Sequence, residues 1–203
     1  MLARILLACM PAYARKKQLA ELYRMTAEAF ETEPKDPGAY YERLRHISFD
    51  KCLEDYARFT SQMAENIDIS GPPMEETQRR LHESSSVYGA ALRKRLRIRN
   101  MDQAVEALRS IYNMIGISFN CDRRGRFEID RCFFSGYYSA ETCKLISALD
   151  EGLAAGLSCG GKLSFEQRIT EGGYCCRGTL DARANAGAAT VHDRKEDSGR
   201  DLI

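Results

Sequence analysis

Cys143, Ser147, Asp150 and Ala154 are spaced by three and four residues, so on a helix they fall into one small, polar stripe. Leu145, Ile146, Leu149, Leu153 and Leu157 form the adjoining apolar stripe, the face expected to pack on a sheet. A carboxylate beside a core stripe is uncommon, because burial without a partner is costly. Asp150 therefore has two readings. It is a rim residue or an acceptor of backbone hydrogen bonds, or it is a general base tuned by its surroundings. A thiol such as Cys143, aided by a nearby carboxylate or by backbone donors, is the matching candidate nucleophile.

Glu171 is a second candidate carboxylate. It precedes Gly172 and Gly173, which permit positive φ and close approach of a ligand to the backbone. An ordinary solvated turn carboxylate is the plainer reading. Cys175 and Cys176 are adjacent in a strand-like run, so alternation predicts thiols on opposite faces, with Cys176 on the side of Tyr174 and Leu180. No Cys-x-x-Cys or His-x-x-x-His occurs, and the three histidines are scattered. A tetrahedral site from Cys132, Cys143, Cys159 and Cys176 would require tertiary convergence, so ligand spacing supports no metal, and no other cofactor is expected. A phosphate loop, a dinucleotide fingerprint and a nucleophile elbow are absent from the sequence.

The stretch from Arg126 to Leu180 holds five of the eight cysteines, with Cys121 just upstream, and the rest of the chain reads as helices that cover it. Upstream, residues 13–31 carry Leu19, Leu22, Tyr23, Ala27 and Phe30 at helical spacing. Pro34, Pro37 and Gly38 end that helix. A second helix is predicted from a Ser48 cap, with Phe49, Leu53, Tyr56, Phe59 and Met63 inward, closing at the loop Ile69–Pro73. A third spans Met74 to Leu96, and its basic C-terminal end opposes the negative pole of the helix. Asn100 or Asp102 caps a fourth, with Ala104, Val105, Leu108, Ile111 and Tyr112 as its core face. Beyond Gly116 the period changes to two. Ile117–Cys121 and Arg126–Phe134 read as a hairpin about residues 122–125, and Ser139 caps the helix that bears the polar stripe. Lys162–Thr170 and Tyr174–Leu180 read as a second hairpin about Glu171-Gly172-Gly173. Residues 183–203 lack core material and read as a disordered tail.

This pattern predicts an α+β fold: an N-terminal helical half, residues 1–115, packed on a C-terminal ββαββ antiparallel-sheet unit, residues 116–182, in a single domain. A chain of 203 residues can fill one such domain. Thirty basic and twenty-nine acidic residues give a formal charge of +1, which supplies no field for nucleic acid or an anionic membrane. No apolar run is long enough to cross a bilayer. The N-terminal apolar run is interrupted by Pro11 and followed, rather than preceded, by Arg15-Lys16-Lys17. That order argues for a cytoplasmic protein with reduced thiols.

The succession Cys132-Phe133-Phe134, Cys143, Asp150, then Thr170-Glu171-Gly172-Gly173 and Cys175-Cys176, resembles the L-2-amino-thiazoline-4-carboxylic acid hydrolase-like family. Members typically read Cys-Pro-Phe, a Cys-bearing helix with an Asp, Ala-Glu-Gly, and a Cys on the final strand. Phe133 stands where the proline is usual, and Arg177 where an acidic residue is common. More distantly, the C-terminal half is similar to vinyl-reductase-type small-molecule-binding domains. The first resemblance implies a hydrolase that opens a cyclic amidine, acting on a C–N bond and giving an N-carbamoyl cysteine. For that reading Asp150, Glu171 and Cys143 are the catalytic candidates, and Cys132, Cys176 and Arg168 the substrate-binding ones. The competing expectation is a non-catalytic binding or thiol-based sensor domain with the same pocket. In either case the partner is a small molecule, and a homo-oligomer is left open.

Overall fold

In the computed structural model the described residues are 12–32, 42, 44–67 and 74–181. The expected tail, the N-terminal apolar run and the two proline-containing breaks lie outside them. Five helices and four strands follow one another as α1 (Ala12–Ala29), α2 (Phe49–Glu65), α3 (Met74–Leu96), α4 (Met101–Met114), β1 (Ile117–Cys121), β2 (Arg126–Cys132), α5 (Ala140–Ser158), β3 (Lys162–Gln167) and β4 (Cys176–Asp181). The fold is α+β, with a helical N-terminal half and an antiparallel sheet of order β1-β2-β4-β3.

The helix starts follow local chemistry. Ser48 caps α2 by accepting from the Lys51 N–H, Asn100 caps α4 by accepting from Gln103, and Ser139 caps α5 by accepting from Thr142. With Asn100 in the cap, Asp102 falls in the first turn of α4, where it faces the positive pole of the helix. The last residue of α5 hands over to Cys159, which adopts the left-handed conformation (φ 64°) and is exposed.

Three features of the C-terminal unit differ from the periodicity reading. First, α5 is buried on most sides rather than on one stripe. Leu153, Ala154 and Leu157 join the core that faces the sheet. Leu145, Ile146, Ala148 and Leu149 instead pack with Ala29, Phe30, Ile67 and Leu81 of the helical half. The α3 and α5 backbones approach closely where side chains are missing. A Cβ on Gly89 would lie 2.7 Å from the Leu153 carbonyl oxygen, and one on Gly156 would lie 2.2 Å from that of Ser86. Second, β2 ends at Cys132, and residues Phe133–Gly136 form a 3-10 turn that drives Phe134 into the core. Third, β3 and β4 pair antiparallel, but they are joined by a 3-10 turn, Ile169–Glu171, rather than by a tight hairpin. Gly172, at φ 88°, closes that turn in a conformation that disfavours side chains.

The third feature corrects the reading of the cysteine pair. Cys175 precedes β4 and is fully buried, while Cys176 opens the strand and is also buried, on the side of Leu180. Tyr174 is exposed and does not share that side. Strand alternation does not reach Cys175, because it lies in the connecting loop, where its carbonyl accepts from Gln167 Nε2 at 3.1 Å.

Candidate functional site

A cavity of about 130 Å³ lies where the helices α1 to α5 meet the inner face of the sheet. Its walls are mostly apolar: Leu19, Leu22, Ile111, Ile117, Ile146 and Leu153 supply much of the surface. Against this lining stand Asp150, three thiols and four tyrosines. A volume of this size is comparable to an engineered protein cavity of ~150 Å³ that accepts benzene.

Asp150 reaches the cavity from the stripe on α5. It retains accessible surface although protein surrounds it, since that surface faces the cavity. Oδ1 accepts a hydrogen bond of 2.8 Å from the hydroxyl of Tyr112 on α4, which is itself 1% exposed. No ion pair to Asp150 occurs among the described residues. Desolvation pushes its carboxyl up to about 7, with Glu151 adding to the rise. The Tyr112 hydroxyl and the more distant Arg168 guanidinium oppose it. Tyr112 itself is driven well above the usual phenol range, first by burial and then by the Asp150 charge.

Cys143, one helical turn before Ser147 on the same stripe, also lines the cavity. Cys132 arrives from the end of β2, and Cys176 from the start of β4. Burial pushes Cys132 up to about 12, and it raises Cys143 and Cys176 as well. The Ile169 N–H, which donates to Cys176 Sγ at 3.4 Å, offsets only part of that. All three are therefore neutral thiols at neutral pH, the opposite of the depressed pKa that marks a reactive cysteine.

Cys132 faces inward because of a β-bulge. The β1–β2 register runs Phe119↔Ile129 and then Ser118↔Arg131, so Asp130 is the extra residue. In unbroken alternation Arg131 would follow Phe127 and Ile129 into the core. The bulge shifts the phase by one, exposes Arg131 and pairs Cys132 with the buried Ile117.

Arg168 and Glu171 stand outside the cavity lining. The Arg168 side chain is 11% exposed, packs 4.8 Å over the Phe165 ring and pairs with Glu171 at 3.5 Å. Its Nε donates to the Oγ of Ser147, itself a lining residue, at 3.4 Å, so it braces the stripe that faces the cavity. Glu171 is exposed on the outer side of the 3-10 turn. The fold thus brings Asp150, Cys143, Cys132 and Cys176 to one cavity, holds Arg168 just outside the lining against Ser147, and leaves Glu171 exposed. Cys159, exposed at the end of α5, is not part of the cavity lining. Among the described residues, no group of three or more His, Cys, Asp or Glu side chains is placed to hold a metal ion.

The residues that periodicity does not single out are the tyrosines. Tyr56, Tyr88, Tyr112 and Tyr138 each sit on a core face, and each also lines the cavity. The hydroxyls find polar partners: Tyr56 shares a hydrogen bond of 2.8 Å with Thr26, Tyr138 bonds Thr60, and Tyr88 donates to Gln18. The sequence signal is the residue type itself, because a buried tyrosine needs a polar partner within reach. No protein-family model, no curated protein and no solved structure matches the chain.

Proposed function

We propose that the chain is a small-molecule-binding protein whose interior cavity encloses a compact, mostly apolar ligand. One observation carries this reading: a cavity of about 130 Å³, bounded by helices and sheet alike, with mostly apolar walls and a carboxylate–phenol pair on them. Ligand sites are commonly apolar concavities with a few placed polar groups. Raised, neutral thiols suit walls better than nucleophiles. The test is a thermal-shift screen of one-ring molecules against the intact chain and against Cys143→Leu, which fills part of the space. Binding that raises Tm in the intact chain and weakens in the folded variant is the expected result. An equal response in both would place the ligand elsewhere.

A second reading is hydrolysis, favoured by one further observation: Asp150 is held near the pKa of a general base that works at neutral pH. It accords with the resemblance to the thiazoline hydrolase-like family. An N-carbamoyl product requires the ring's C–S bond to break rather than a C–N bond. Water adds to the amidine carbon as Asp150 takes one of its protons, the second water proton passes to the amidine nitrogen as the carbonyl forms, and the C–S bond breaks with Asp150 returning its proton to sulfur. Turnover of the thiazoline that is lost in Asp150→Asn would support this reading. No turnover by the intact chain would remove it.

A further inference from the structure

The cavity has an electrostatic character that its apolar walls conceal. Asp150 accepts a hydrogen bond from Tyr112 and has no cationic partner in contact among the described residues. Aromatic rings crowd the same wall. Phe134 stacks on Tyr138 with ring centroids 5.4 Å apart and meets Tyr56 edge-on at 6.1 Å. Tyr112 meets Phe119 edge-on at 5.2 Å. Phe134, Tyr56, Tyr112 and Tyr138 all line the cavity with Asp150. A carboxylate among aromatic rings in a mostly apolar cavity is the arrangement that recognises an ammonium group.

Resting on the binding reading above, we infer that the cavity takes a small lipophilic amine, its ammonium held between the Asp150 carboxylate and the rings of Tyr112 and Tyr138. The space limits the ligand to one ring or a short chain, on the order of eight non-hydrogen atoms. The other groups around Asp150 are consistent with a cation. Cys132, Cys143 and Cys176 are neutral, Tyr112 and Tyr138 keep their protons, and Glu151 adds negative charge. Arg168 is the opposing charge, but it is not in the cavity lining and is committed to Ser147 and Glu171. An anionic ligand would have to use Arg15, which also lines the cavity. That guanidinium is partly engaged, since Nη2 donates to the Met114 carbonyl at 3.1 Å and the group stacks 3.9 Å over Phe49, but its buried Nε has no partner, which makes a carboxylate the direct competitor of the amine.

Three molecules of one shape separate the outcomes: benzylamine, benzyl alcohol and benzoate, titrated by calorimetry into the full chain at about pH 8. Benzylamine is expected to bind at least about tenfold more tightly than benzyl alcohol. That preference should fall about tenfold for each pH unit below 7, where the cation must expel the Asp150 proton. Asp150→Asn should abolish the preference while benzyl alcohol still binds. Tyr112→Phe, which keeps the ring and the carboxylate, should retain the preference and serves if the Asn variant does not fold. Equal or tighter binding of benzyl alcohol, or a preference for benzoate, would overturn the amine inference while leaving the cavity a binding site. If none of the three binds, the binding reading falls and the inference falls with it.

Discussion

Two carboxylates on two helices show opposite fates. Glu76, in the first turn of α3, lies on a solvated face beside Arg79 at 2.7 Å and Arg80 at 2.8 Å, while Arg79 also reaches Glu83 at 2.6 Å. Hydrogen bonds from these arginines hold its carboxyl down at about 2. Asp150, on α5, has no such partner, and desolvation holds its carboxyl up at about 7. The outer network is dense in charge and contributes little, because exposed pairs lose in entropy and screening most of what they gain. The inner site has one carboxylate, with no ion pair to it among the described residues. Density of charge marks a solvated face, whereas isolation of a charge marks a site.

The largest effect that would break this contrast is on stability against pH. Asp150 has a folded pKa above its unfolded value, so between about pH 4 and pH 7 the folded state binds more protons. Stability should therefore fall as pH rises from about 4 to about 7 and then level off. The gap between an ordinary aspartate and about 7 corresponds to about 4 kcal/mol at alkaline pH. Asp150→Asn, which can still accept from Tyr112, should be more stable than the parent at about pH 8 and nearly equal at about pH 4.5. Denaturant titrations at both pH values check this, and a variant that is destabilised at about pH 8 would show that the charge is compensated in the fold.

Next in size is the packing that closes the cavity. Gly156→Ala places a methyl group against the Ser86 carbonyl and should cost about 2 to 3 kcal/mol. Gly136→Ala, with nothing within 4 Å of its Cβ, is the matched control and should be near neutral. Tyr112→Phe comes third, at about 1 to 2 kcal/mol for the lost hydrogen bond to a buried carboxyl. Because Tyr112 lowers the Asp150 pKa, its removal should raise that pKa further, which a carboxyl infrared band followed against pH would read directly.

Much of the scaffold was legible from local rules. The caps Ser48 and Ser139, the change of period at Gly116, and the stripe that joins Cys143 to Asp150 are encoded within a few residues of where they act. What escaped depends on tertiary phase. Cys132 is among the pocket candidates named from the sequence, but the bulge at Asp130 that turns it inward is not legible there, since a single extra residue in a strand leaves no mark on a hydrophobic pattern. The exclusion of Glu171 follows from the 3-10 turn that replaces a hairpin, and the burial of Cys175 follows from the same loop. Tyr112 reads as core and is core, while Tyr138, just before the Ser139 cap, carries no periodic signal and is half-buried. Their hydroxyls gain significance only through partners on other elements, namely Asp150 and Thr60.

The smallest expected effect sharpens the comparison from its other side. Glu76→Gln removes the centre of the outer network on α3, yet Tm at neutral pH should change little, because the pairs are solvated and the arginines find water instead. What should change is the acid limb. Glu76 has a folded pKa below its unfolded value, so whatever it contributes is present above about pH 4.5 and is lost as pH falls towards 2. The variant should therefore unfold along the same acid profile as the parent but with a slightly shallower slope, and about 0.5 M salt should shrink the difference between them. Asp150→Asn should show the contrary pattern, with a difference that grows at alkaline pH and that salt alters less, because desolvation rather than an exposed ion pair sets the state of this carboxyl. A salt-sensitive Asp150 effect would mean that the cavity is open to bulk water, and the raised carboxyl would then lose its physical cause.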